Sequence, residues 1–187
     1  MSESFTVFET PIGTGGIAWN ERGVSGVQLP EPDVARVRAR LRRRFPHAIE
    51  SPPSPDIQQA LEAMTALLRG EPSDLSSVHL DLDRVPAFER RVYEVARTIP
   101  AGETVSYGQI ASRLGDARLA REVGQALARN PFPIVVPCHR VVAAGGKLGG
   151  FSARGGAATK LRLLAIEGGG PSVTLPLFEE PAFQRRA

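Results

Sequence analysis

A single cysteine, Cys138, in 187 residues excludes an internal disulfide. Only three histidines are present, His47, His79 and His139, and they are too scattered to complete a cysteine-rich zinc site, so no metal is expected. Lysine is nearly missing, two against 21 arginines, a bias that follows overall composition as readily as phosphate chemistry. No apolar run approaches the length of a membrane span, and the N-terminus MSESFTVFET has neither the basic nor the apolar region of a secretory signal. The expectation is a cytoplasmic protein with no membrane partner. Internal repeats and low-complexity tracts are absent too.

At 42% hydrophobic, the chain is long enough for one ordinary domain or two small ones. Charge divides it unevenly: residues 1–85 carry nine Arg and twelve Asp/Glu, whereas residues 86–187 carry twelve Arg, two Lys and eight Asp/Glu. Within the basic part, Arg113, Arg118, Arg121, Arg129, Arg140, Lys147, Arg154, Lys160 and Arg162 face only Asp116 and Glu122 over residues 105–165. Such a count fits a polyanion-binding face and fits a solvated surface equally well.

The first segment, FTVFETPIGTGGIAWNERGVSGVQL, alternates apolar and polar residues between Gly-containing turns and reads as an antiparallel meander. Pro32 and Asp33 open a helix with Val34, Val37, Leu41 and Phe45 on one face and six arginines on the others, a solvated basic face. After a Pro/Ser-rich loop, IQQALEAMTALLRG reads as a helix stopped by Gly70, and SSVHLDL as a strand with His79 pointing outward. Near Pro86 helical periodicity restarts, with Phe88, Val92 and Val95 sharing a face. Ser106 is placed to cap YGQIASRLG, and Asp116 to cap ARLAREVGQALARN. Two short helices joined by a tight turn are a helix-turn-helix signature, weak by itself. The small residues Ala120, Gly124 and Ala128 let the second helix come close to something, either another helix or a nucleic-acid groove.

PFPIVVPCHRV, residues 131–141, then reads as a short buried strand or extended segment bounded by prolines. A lone cysteine is ordinarily a buried, inert packing residue. Here His139 and Arg140 follow it at once, and then the glycine-rich AAGGKLGGFSARGG, which suits a nucleophile in a pocket. Neighbouring residues of a strand point to opposite sides, so a water between Cys138 and His139 is the expected link.

PCHRV, preceded by Asn-Pro and followed by GGKLGGFS, with SYGQIA and AREVG upstream and KLRLLAIEG downstream, resembles the O6-alkylguanine-DNA alkyltransferases from about Pro86 to Gly168. The first 85 residues match only in general pattern. The resemblance implies an α+β protein: an N-terminal α/β domain with an antiparallel sheet, ribonuclease H-like, over 1–85, and a mainly helical, winged-helix-like domain with a helix-turn-helix over 86–168. Residues 169–187 would be a tail. It implies irreversible, stoichiometric transfer of the alkyl group of O6-alkylguanine to Cys138, with O4-alkylthymine as a further candidate, no cofactor, and a monomer. His139 would take the thiol proton through water, Glu167 would orient the imidazole, and Asn130 would brace the turn before the cysteine. Tyr107, on spacing alone a half-buried helix tyrosine, would donate to the departing base. Arg121 would enter the duplex from the minor groove and fill the place of the flipped nucleotide. Ser106, Arg118, Ala120, Gly124 and Arg154 would contact DNA. Leu127, Pro133, Val141, Phe151 and Ser152 would line the base pocket.

The departures from the family pattern are Glu122 and Gln125 on the DNA-facing helix, Phe151 in place of a frequent tyrosine, and a loop FSARGGAATK about two residues longer than its shorter form. Three other readings stand beside this one: a non-catalytic lesion-binding relative, against which Cys138 argues; a helix-turn-helix regulator sensing alkylation or redox state; and a cysteine hydrolase, which would turn over.

Overall fold

The computed structural model describes residues 3–153 and 155–169; Arg154 and the tail from residue 170 lie outside the described residues. Strands β1 (Ser4–Thr10), β2 (Gly13–Asn20) and β3 (Gly23–Glu31) form the expected antiparallel meander. A two-residue strand β4 (Ile49–Glu50) adds to β1 in parallel, giving the order β3-β2-β1-β4. Strand alternation separates neighbouring residues to opposite faces. Ala18 thus packs in a small core with Phe5, while Ile17 enters the large one.

Helix α1 (Val34–Arg44) covers the first face with Val37, Leu41 and the following Phe45. Asp33 caps it, accepting from the amide of Ala35 at 2.9 Å. Its basic stripe is solvated as expected, with Arg36, Arg42, Arg43 and Arg44 exposed, but most of its charges are engaged. Arg36 pairs with Asp33, Arg38 and Arg42 with Glu50, and Arg40 with Glu31, while Arg44 turns to the carbonyls of Val27 and Pro131. Helix α2 (Pro55–Leu68) buries Ile57, Leu61, Met64 and Leu68 in the large core with Ile17 and Trp19, and ends before Gly70, whose φ of +79° suits only glycine well.

The strand expected over SSVHLDL reduces to one bridge between Leu80 and Val24, with His79 exposed as expected. Arg97 is the reason. Its Nη2 donates to the carbonyls of Leu75, Ser76 and Val78 at 2.8–2.9 Å, which requires the segment to curl around one guanidinium.

Helix α3 (Ala87–Arg97) is rotated from the expected face: Glu89, Val92, Tyr93 and Ala96 are buried, and Phe88 and Val95 flank them. Tyr93 sets this rotation, donating its hydroxyl to Ala126 O at 3.1 Å and meeting Phe132 edge-on. A short parallel pair joins β5 (Val105–Ser106) to β6 (Val141–Val142). Ser106 caps α4 (Tyr107–Arg113) in a reciprocal capping box with Gln109. Gly115, at φ +103°, makes the turn. The second expected helix is divided into a single 3₁₀ turn, Ala117–Leu119, capped by Asp116, and helix α5 (Ala120–Ala128). Helix α6 (Gly156–Ile166) completes a mixed α+β fold.

The large core runs through the whole arrangement, with Ile17, Val27 and Leu29 of the sheet in one cluster with Val92, Ile99, Leu127 and Val136. Among the described residues no helix is long and apolar enough to cross a membrane.

Candidate active site around Cys138

The stretch before the cysteine is a turn, not a strand. Asn130 closes it: Oδ1 accepts from Phe132 N and Nδ2 donates to Val136 O, both at 2.9 Å. Ile134 inside it has φ +76°, the one non-glycine residue with positive φ among those described. Such a conformation is costly for a β-branched residue, but the side chain is 1% exposed, and burying it offsets the strain. Cys138–Arg140 then form a 3₁₀ turn, so strand alternation does not govern where Cys138 and His139 point.

Cys138 is half-buried at the floor of a cleft of about 520 Å³ walled by Tyr107, Arg121, Gly124, Leu127, Phe151 and Ser152. Burial raises its thiol above the ordinary value; hydrogen bonding from Asn130, the charge of Lys160 and the amides of Cys138 and His139 act the other way. His139 is 1% exposed and its Nε2 lies 2.8 Å from Glu167 Oε1. Arg140 grips the same carboxylate, Nε to Oε2 at 2.9 Å and Nη2 to Oε1 at 2.8 Å, and donates Nη1 to Ile99 O. Burial works to raise Glu167, but its bonds to His139 and Arg140 prevail and hold it at about 2. Burial lowers His139 below its ordinary value against the pull of Glu167, so the imidazole rests neutral. An ionised carboxylate only accepts, so the proton sits on Nε2 and leaves Nδ1 with its lone pair, the form of a general base.

Two partners escaped the sequence reading. Arg140, which counts toward the basic face in the sequence, is the bidentate anchor of Glu167. Lys160, counted there too, is fully buried: Nζ donates to Val141 O at 2.5 Å and Leu148 O at 2.6 Å, and sits 5.8 Å from the Tyr107 ring centroid. Burial lowers it to about 8, a shift that negative charge on Cys138 opposes. The signal was present in KLRLLAIE, where Lys160, Leu163, Leu164 and Glu167 fall at i, i+3, i+4 and i+7, a single face of α6.

The remaining candidates divide. Tyr107 is half-buried at the cleft wall with its hydroxyl donating to Gly150 O at 3.4 Å, and burial raises its pKa, so it holds a proton to give. Arg121, Gln125 and Ala128 lie along the exposed side of α5, with Glu122 beside Arg121. Arg118 is exposed and paired with Asp116, Arg129 with Glu89. Ala120 and Gly124 are half-buried, and Gly124 lies under the Tyr107 ring. Ser106 is engaged as a helix cap. Leu127, Phe151 and Ser152 wall the cleft, with Ser152 Oγ donating to Ala128 O at 2.7 Å. Pro133 lies on a second cleft that also reaches Cys138. Val141 lines neither. Its amide donates to Cys138 O and its carbonyl receives Lys160.

Residues 87–169 match the family profile described as 6-O-methylguanine DNA methyltransferase, DNA binding domain. The chain is 46% identical over 120 residues to the methylated-DNA–protein-cysteine methyltransferase of Mycolicibacterium paratuberculosis, covering 64% of this chain and 70% of that one. It is 35% identical over 167 residues to the bifunctional transcriptional activator/DNA repair enzyme Ada of Escherichia coli; this is 89% of the present chain but 46% of Ada, so the chain spans less than half of that relative. Among solved structures, the O6-methylguanine methyltransferase of Mycobacterium tuberculosis superposes with a TM-score of 0.71 at 34% identity, over 91% of this chain and 96% of that one.

Proposed function

Because this chain belongs to the methylated-DNA–protein-cysteine methyltransferase family, we propose that it repairs O6-alkylguanine in DNA by moving the alkyl group irreversibly onto its own Cys138, one lesion per molecule. The observation that carries this reading is the buried His139–Glu167 pair immediately after a half-buried cysteine, at the floor of a cleft rimmed by Tyr107 and Arg121.

In this reaction Sγ attacks the alkyl carbon as the carbon–O6 bond breaks, and the bonding pair passes to guanine. The thiol proton travels through water to His139 Nδ1, and Glu167 stabilises the resulting cation, with Asn130 bracing the turn. Tyr107, protonated and with its hydroxyl on a long bond to Gly150 O, donates to the departing base. A thioether offers no easy hydrolysis, so the protein is consumed.

A thiol at the floor of a cleft cannot reach O6 in line while the base is stacked, hence the lesion is flipped out and Arg121 fills the gap from the minor groove. In the same reading α4 and α5 are a helix-turn-helix in a winged-helix-like domain over 86–168, with Ser106, Arg118, Ala120 and Gly124 toward DNA, and residues 1–85 are a ribonuclease H-like domain. Leu127, Pro133, Phe151 and Ser152 hold the base. The protein acts as a cytoplasmic monomer.

Intact mass after mixing with a duplex containing one O6-methylguanine tests this. One added methyl per chain, stoichiometric with lesion and absent in Cys138→Ser, is the expected result. An unchanged mass with tight lesion binding would leave a damage-recognition protein instead.

A further inference from the structure

Two clefts meet at Cys138. They share Leu127, Cys138, Phe151 and Ser152, but only the first reaches Tyr107 and Arg121. The second, about 490 Å³, runs from the thiol toward the N-terminal sheet, past Pro133 and Ala153 to Leu29, Pro30 and Ile12. Transfer of a methyl group has no use for this space. In-line displacement sets Sγ and O6 on opposite sides of the reacting carbon, so anything longer than methyl leaves that axis sideways and needs room of its own.

The charges along the second cleft are unbalanced. Glu31 is its single carboxylate, 4% exposed and already held by Arg40 at 2.8 Å and Gln28 at 3.0 Å. Arg44 donates to the neutral acceptors Val27 O and Pro131 O and makes no ion pair among the described residues, although the charge of Glu3 acts on it. Arg162 of α6 is exposed and makes no ion pair among the described residues.

We propose that this second cleft is a subsite for the far end of O6 substituents longer than methyl, its apolar wall taking the methylene chain and Arg44 and Arg162 favouring a terminal carboxylate. The inference rests on the alkyl-transfer reading above. The bonds made and broken are the same: sulfur to the first carbon of the chain, that carbon from O6, the thiol proton to His139. The tail itself takes no part in the chemistry.

Single-turnover rates would be measured by intact mass on one duplex carrying, in turn, O6-methylguanine, O6-butylguanine, O6-carboxybutylguanine and its uncharged carbamoylbutyl counterpart. The carboxylate tail should react about three- to tenfold faster than the carbamoyl tail, as expected for one charge-assisted contact at a partly solvated site. High salt should shrink that ratio. Arg162→Gln, at an exposed position, and Arg44→Gln should each bring it toward one, each judged against the same variant's rate on O6-methylguanine. Equal rates for the two tails in the parent protein, or a ratio unmoved in both variants, would overturn the anionic preference. Reaction with methyl but with none of the longer tails would overturn the subsite, whereas no reaction with methyl would bring down the alkyl-transfer reading and this inference with it.

Discussion

Glu167 holds two partners in a space where its own side chain is only 3% exposed, and this makes it the residue most sensitive to pH and to substitution. Its folded pKa is depressed from 4.5 to about 2, so the stability it contributes is full above 4.5 and is lost as pH falls toward 2. His139 acts in the same direction: its folded value is lowered from 6.5, so acidification below 6.5 protonates the unfolded chain first and favours unfolding. Denaturant melts taken downward from neutral pH should therefore lose stability first below 6.5 and more steeply below 4.5; a flat profile through that range would contradict the buried pairing. Glu167→Gln should slow alkyl transfer about 100-fold or more, the usual scale for general-base assistance, and cost on the order of 3 kcal/mol by leaving Arg140 buried without its counter-charge. Mass spectrometry and denaturant midpoints read the two effects separately. A rate within twofold of the parent would remove Glu167 from the mechanism. At this scale Cys138 and His139 were legible from the motif and from the resemblance, and Glu167 from the resemblance alone. Arg140 and Lys160 were not, since an arginine or lysine in a basic run looks the same whether it faces water or a carbonyl.

Among the elements, α5 carries the prediction. Gly124 lies in the helix interior, and a Cβ there would meet the Tyr107 ring at 3.8 Å, an ordinary contact. Folding therefore does not need glycine at this position. Gly124→Ala should leave the melting midpoint unchanged or raise it, helix propensity favouring alanine by about 1 kcal/mol, while, on the proposed reading that this helix enters the groove, weakening duplex binding. Thermal melts together with duplex titrations check this, and unaltered duplex affinity would refute the groove-approach role. Local start and stop signals, such as the caps at Asp33 and Ser106 and the stop at Gly70, are borne out, whereas Asp116 caps only the 3₁₀ turn that precedes α5. The segment read as a strand around 76–82 and the one read as a strand or extended segment around 131–136 are not borne out. One is curled by Arg97 from α3, and the other is turned by the Asn130 amide and by a positive φ at Ile134 that a β-branched residue does not announce.

At the scale of the whole molecule, one apolar cluster joins residues from both sides of Val85, and Val27 N donates to Pro131 O at 2.9 Å across the same divide. Arg44 of α1 reaches the same carbonyl at 3.1 Å, so the sheet holds the peptide next to the Asn130 turn from outside. Calorimetry should show a single cooperative transition for the chain, with the calorimetric and van't Hoff enthalpies in agreement; two resolved transitions would mean that the shared core does not couple the halves.

The amino-acid sequence by itself determined the helices and the meander, through periodicity, caps and breakers within a few residues of one another, and it determined the chemistry on offer at PCHR. Tertiary structure alone decided which charges go inside and which cavities form. Lys160 is buried because Val141 and Leu148 present carbonyls to it, Arg140 because Ile99 and Glu167 do, and the second cleft exists because β3 and α1 stand opposite Phe151 and Arg162. Burial of a charge depends on partners far away in the chain, and no local pattern records where those partners will be.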